Sequence, residues 1–152
     1  MKINGNLCLL LVFLFSACGG RNQNSQQQTK TQTPTREIPD KSADMANHPG
    51  KKVYDSVCLA CHMADGSGVP GMHPPLIETE WVNGDKERLI EITLNGLSGK
   101  IEVDGETYNS IMPPHSHLSD KQIADVLTYI RQSFGNNAGE ITVEEVQKVR
   151  NK

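Results

Sequence analysis

A mainly α-helical domain is what this 152-residue chain predicts, and three observations carry the prediction. Apolar residues recur at helical spacing in three segments, and the clearest of them opens on a capping signal. A single short stretch alternates in the manner of strands. Long Gly- and Pro-rich passages separate these segments, and only 36% of the residues are hydrophobic. The core is therefore small, and something besides side chains is needed to complete it.

The first residues, "MKINGNLCLLLVFLFSACGG", read as an export signal over 1–17. Lys2 is followed by an apolar run from Leu7 to Phe15, which suits a signal core and is about half of what a membrane-spanning helix needs. "FSAC" resembles a bacterial lipobox, which makes Cys18 the lipidated first residue of the mature chain. Cys8 is removed with the signal, leaving Cys58 and Cys61 for other chemistry. Residues 18–46 are rich in Gln, Thr, Asn and Ser and read as a flexible polar tether that holds the folded part off a membrane surface.

The folded domain is expected over 47–136. Asn47 or His48, followed by Pro49 in the first turn, opens a helix with Val53, Tyr54 and Val57 as its apolar stripe. It runs into "SVCLACH". The passage "DGSGVPGMHPPLIETEW" has too many breakers for a long element. A second helix fits Asp85 to Leu94 and ends at Gly96. Asp104-Gly105, between two short alternating runs, signals a hairpin. The third helix starts at Ser119 and Gln122, shows Ile123, Val126, Leu127 and Ile130 on one face, and stops at Gly135. Residues 137–152 form an extension in which Thr142 and Glu145 open a short appended helix; it either caps the domain or binds a partner.

The formal charge is −3. Between Asn47 and Asn136 seven Lys or Arg stand against twelve Asp or Glu, a balance of −5. An acidic domain argues against nucleic acid as a partner and suits a basic docking surface on a protein partner.

Three readings compete for Cys58, Cys61 and His62. A zinc site needs about four ligands, usually from paired motifs, and there is no second cysteine pair. A redox dithiol needs a βαβ context with the pair opening a helix, whereas here the pair ends one. The third reading is a covalent haem anchor. Two thiols on one helical turn reach the porphyrin vinyl groups, and the next residue, His62, lies below the iron as its proximal ligand. The second axial ligand is then sought far along the chain. Met112, 50 residues after His62 and followed by Pro113 and Pro114, has the position and chemistry. His115 and His117 are the alternatives at the same loop, and otherwise they are solvated loop residues, as is His48.

From about Gly50 to Asn136 the chain resembles class I cytochromes c. The resemblance rests on "VYDSVCLACH", "GSGVPGMHPPL", "NGLSGKIEVDGETYNSIMPP" and "LSDKQIADVLTYIRQSFGN". It implies three main helices around one covalently bound haem c. It also implies that Gly50 and Tyr54 meet Val126 and Tyr129 where the first and last helices cross. The carbonyl of Pro74 or Pro75 then accepts the N–H of His62, and Trp81 and Tyr108 pack near the haem propionates unless they are plain core aromatics. The implied function is one-electron transfer with His62 and Met112 as axial ligands. The chain would act as a lipid-anchored shuttle facing the periplasm, between redox proteins of the cell envelope, without nucleic acid or a small-molecule substrate. The alternatives are a haem relay subunit of a larger dehydrogenase, reductase or oxidase, or a haem enzyme or sensor with a displaceable sixth ligand.

Overall fold

Pro49 and His48 open the first helix as their chemistry dictates. The proline occupies the first turn, where its missing N–H costs nothing, and the His48 ring accepts from the Gly50 N–H at 3.1 Å. The computed structural model describes residues 45–152; the export signal, the lipidated Cys18 and the polar tether through residue 44, all expected from the sequence, lie outside the described residues. Met45, which the sequence reading puts in the tether, is buried among the core residues. The domain therefore begins slightly earlier than its composition indicates.

Helix α1 runs on through three stretches, Pro49–Val53, Tyr54–Cys58 and Leu59–His62, the middle one wound as a π-helix. Helix α2, Glu80–Asn83, is a single turn capped by Thr79 inside the breaker-rich passage. Helix α3, Lys86–Asn95, is capped by the Asp85 carboxylate, which accepts from the Arg88 N–H at 2.7 Å, and it ends at Gly96 with φ +75°. Strands β1, Ile101–Val103, and β2, Glu106–Tyr108, pair antiparallel with Ile101 opposite Tyr108. Asp104 and Gly105 both take positive φ between them, as a two-residue hairpin turn of this kind requires.

Helix α4, Asp120–Gln132, has the full capping box of Ser119 and Gln122. It stops at Ser133, ahead of the expected Gly135, because Phe134 already turns the chain at φ +56°. Helix α5, Val143–Arg150, carries its own capping box of Thr142 and Glu145.

The core sits where α1 crosses α4. Any side chain at Gly50 would run into the Asp125 carbonyl and the Tyr129 side chain. Tyr54 is fully buried, its ring 5.6 Å from that of Tyr129 and 5.2 Å from that of Phe134. Asp125 replaces the expected Val126 at the glycine because Asp125 and Tyr129, four apart, share one face of α4. Val126 looks into the cleft described below.

The extension caps the domain. Ile141, Val146 and Val149 join the core, and Thr128 Oγ1 both donates to the Ile141 carbonyl and accepts from its N–H. Arg131, only 4% exposed, donates to the carbonyls of Val82, Gly84 and Gly139, tying α4 to the turn after α2 and to the extension.

Candidate cofactor site

The end of α1 carries Cys58, Cys61 and His62 to the edge of an apolar cleft. One lobe is walled by α3, β1 and α4, with Leu89, Ile92, Val126 and Ile130 among its lining. The other lies toward β2 and the loop around Met112. Cys58, His62, Pro74, Met112 and His115 line both. The lining of both lobes is predominantly apolar, as a large apolar cofactor requires.

The cleft does not orient His62 by packing alone. Its Nδ1–H donates to the Pro74 carbonyl at 3.0 Å. That bond settles the tautomer and leaves Nε2 as the nitrogen with a lone pair for a metal. Pro75 lines the cleft, and of the two neighbouring prolines it is Pro74 whose carbonyl holds the ring. Burial pushes the His62 pKa down, against the raising effect of the Pro74 bond, and nearby His73 and His115 lower it further. The imidazole is therefore neutral at neutral pH, the form that binds iron. Pro74 itself is held by the loop. Gly68 packs against the His73 and Pro74 backbone at φ +65°, and Leu76 N–H donates to the Gly66 carbonyl at 2.7 Å.

Tyr54 closes the back of the motif, its hydroxyl donating to the Met63 carbonyl at 2.6 Å. Burial, with a contribution from Cys61, pushes the Cys58 thiol up to about 11. Such a thiol is protonated at neutral pH, which does not suit an activated dithiol. Among the described residues no group of three or more His, Cys, Asp or Glu is gathered to hold a metal.

Met112 comes from the far side of the chain. Its N–H and carbonyl bond both ways with Leu97, at 2.9 and 3.0 Å. Gly96 permits that approach, since a Cβ there would stand 2.5 Å from the Met112 carbonyl. His115 follows, its N–H donating to the Thr93 carbonyl at 3.0 Å. His115, by sequence either the alternative ligand or a solvated loop residue, is half-buried and lines the cleft, because that bond draws it onto the end of α3. Its burial, with His117 beside it, lowers its pKa. His117 stays exposed, its ring 5.9 Å from that of His115. His48 is not a free loop residue either, since it caps α1 and stacks on Tyr129.

Trp81 and Tyr108 both wall the cleft, one in each lobe. Trp81 Nε1–H donates to the Glu102 carbonyl at 2.9 Å, and the Arg88 guanidinium stacks 4.7 Å from its ring. Tyr108 donates to Glu106 at 2.9 Å. Both polar groups have partners in the chain. Asn136, which the sequence reading passed over, bonds the Leu76 and Ile130 carbonyls, the Glu78 N–H and the Asn83 amide, fixing the loop that supplies Pro74. A polar residue just past a helix carries no periodic signal that could have revealed this.

These residues fit a haem bound through two thioethers. The lining is apolar, two thiols stand at one edge, and a tautomer-fixed imidazole and a thioether both reach the same cleft.

Comparison with known proteins agrees. The cytochrome c family model matches residues 48–134. Cytochrome c-552 of Thermus thermophilus is 38% identical over 117 residues, 71% of this chain and 78% of the relative. The cytochrome c subunit of the quinone alcohol dehydrogenase of Gluconobacter oxydans is 35% identical over 105 residues, 66% of this chain but 22% of that protein. A subunit of the cbb3-type cytochrome c oxidase of Azospirillum brasilense is 35% identical over 97 residues, 59% of this chain and 29% of the relative. With the family model spanning the helices that build the cleft and the loop that brings Met112 to it, the chain belongs to the cytochrome c family, electron-transfer proteins that carry covalently bound haem c.

Proposed function

We propose that this chain is an electron carrier, not an enzyme, whose haem is held by thioethers from Cys58 and Cys61 and by His62 and Met112 as axial ligands. The haem supplies a one-electron change between ferric and ferrous iron. The rest of the mechanism belongs to the chain. Pro74 keeps the His62 ring turned and its Nε2 basic. The Leu97–Met112 bonds would hold the thioether's loop in one place through a one-electron change. The apolar walls exclude water, and a thioether in place of a second imidazole raises the reduction potential. The observation that carries this reading is the His62–Pro74 bond, 3.0 Å long, in a cleft that Met112 also lines. Trp81 and Tyr108 then stand on the propionate side as walls, their polar groups held by Glu102 and Glu106.

The carrier works in the cell envelope, anchored by lipid at Cys18 and facing the periplasm. Its partners are redox proteins there, as either a free shuttle or a relay within a larger complex. Relatives named as subunits of a dehydrogenase and an oxidase support redox-protein partners.

Absorption spectra of ferric and reduced holoprotein, for wild type and Met112→Ala, test the ligands. A low-spin wild type with the weak long-wavelength sulfur-to-iron band, lost in the variant, is the expected result. A second reading has an observation of its own, since His115 lines the same cleft. If the band is absent and Met112→Ala changes nothing, His115→Gln should alter the spectrum instead, and the carrier is a bis-histidine one.

A further inference from the structure

The loop that brings Met112 to the cleft is tied down at its beginning by Leu97 and Thr93. Farther along, from Ser116 to the start of α4, the restraint comes from the end of the chain. Arg150, in the last turn of α5, spreads its whole guanidinium over this run. Nε donates to the Asp120 carboxylate at 2.6 Å, Nη1 to the Ser116 carbonyl at 2.9 Å and Nη2 to the Leu118 carbonyl at 2.7 Å. Leu118 is buried and lines the cleft, and its own N–H returns to the His115 carbonyl at 3.0 Å. Three donors in a rigid fork fix three acceptors relative to one another, which a flexible point charge cannot do. Helix α5 is itself held by Val146 and Val149 in the core, by Lys86 against Glu145 at 2.8 Å and by the Lys152–Glu87 pair. The clasp therefore stands on a firm element.

We propose that Arg150 is a positioning residue. From the C-terminal helix it latches residues 116–118, holds the Met112–Leu118 loop closed over the cleft, and so governs how readily an outside ligand displaces the sixth ligand. The proposal rests on the reading of Met112 as that ligand. It gives the extension a part in the site as well as in the core. An external ligand binds only to the open loop, so its apparent dissociation constant falls as the open fraction rises.

The test is an imidazole titration of ferric holoprotein, full chain, followed by the long-wavelength band. Amide exchange at His115 and Leu118 is measured on the same samples. Losing hydrogen bonds to a charged donor should open the loop enough for Arg150→Ala to bind imidazole about tenfold tighter or more. Arg150→Lys should fall between it and wild type, and exchange at both amides should quicken in the alanine variant. Lys121→Ala, which removes an exposed ion pair to Asp125 within α4 and touches neither α5 nor the loop, serves as the control and should leave imidazole affinity within about twofold. Unchanged affinity and unchanged exchange in Arg150→Ala would overturn the proposal. So would an equal shift in Lys121→Ala, which would mean that imidazole affinity follows overall stability and not the latch. If wild type lacks the band, the Met112 reading fails, and the exchange rates alone then decide the latch.

Discussion

At Gly50 one missing methyl group decides how closely two helices approach. A Cβ there would overlap the Asp125 carbonyl, which is backbone and cannot swing aside. Gly50→Ala should therefore cost about 1–3 kcal/mol through forced separation of α1 and α4. The guanidinium-chloride midpoint of the holoprotein measures it. Gly139→Ala is the comparison, because a Cβ there meets nothing within 4 Å, and it should stay within about 0.5 kcal/mol of wild type. A midpoint for Gly50→Ala equal to that of Gly139→Ala would sink the close-packing argument. His62 shows the same scale of control at the site. Its place is legible in "CLACH", but its tautomer depends on a carbonyl twelve residues away, which only the folded loop brings to 3.0 Å.

Among the elements, α5 changes meaning most between sequence and structure. Its capping box was readable; its docking was not, because Val146, Val149 and Ile141 supply too short an apolar pattern to name the surface they cover. Ion pairs then hold it to α3. The hydrogen bond from Lys86 holds the Glu145 carboxyl below its usual 4.5, burial opposing, with the Thr142 N–H, Lys86 charge and Arg131 adding to the lowering. A carboxyl lowered in the folded state contributes stability above its unfolded pKa and loses it as pH falls through the folded value. The melting temperature of Glu145→Gln should thus lie below wild type at pH 7, with the gap closing as the pH drops below 4.5. A gap that stays constant down to strong acid would show that charge plays no part. The pair is partly exposed, so the gap should be small and should shrink in salt.

The molecule as a whole depends on its cofactor for a core. Among the described residues the apolar side chains of α3, α4 and β1 face an apolar cleft. The chain's own packing is concentrated along α4, which α1 crosses and against which α3 and α5 pack. Haem-free protein is therefore expected to lose its near-ultraviolet circular dichroism and to melt broadly, while holoprotein melts cooperatively. A haem-free sample with a sharp transition near that of holoprotein would show that side chains alone complete the fold. Acidic residues outnumber basic ones between Asn47 and Asn136, so association of this domain with any basic surface would weaken with salt.

The sequence by itself determined the helical class, the hairpin turn, both capping boxes and the attachment motif. Each of these rests on residues near one another in the chain, where caps, turns and periodicity act. Tertiary structure alone decided that Pro74 and not Pro75 holds His62, that His115 enters the cleft, that Arg131 is buried among carbonyls, and that the last helix reaches the Met112 loop through Arg150. Those outcomes depend on backbone carbonyls from distant segments, which have no side-chain identity to leave in the sequence and acquire a role only when the chain has folded around them.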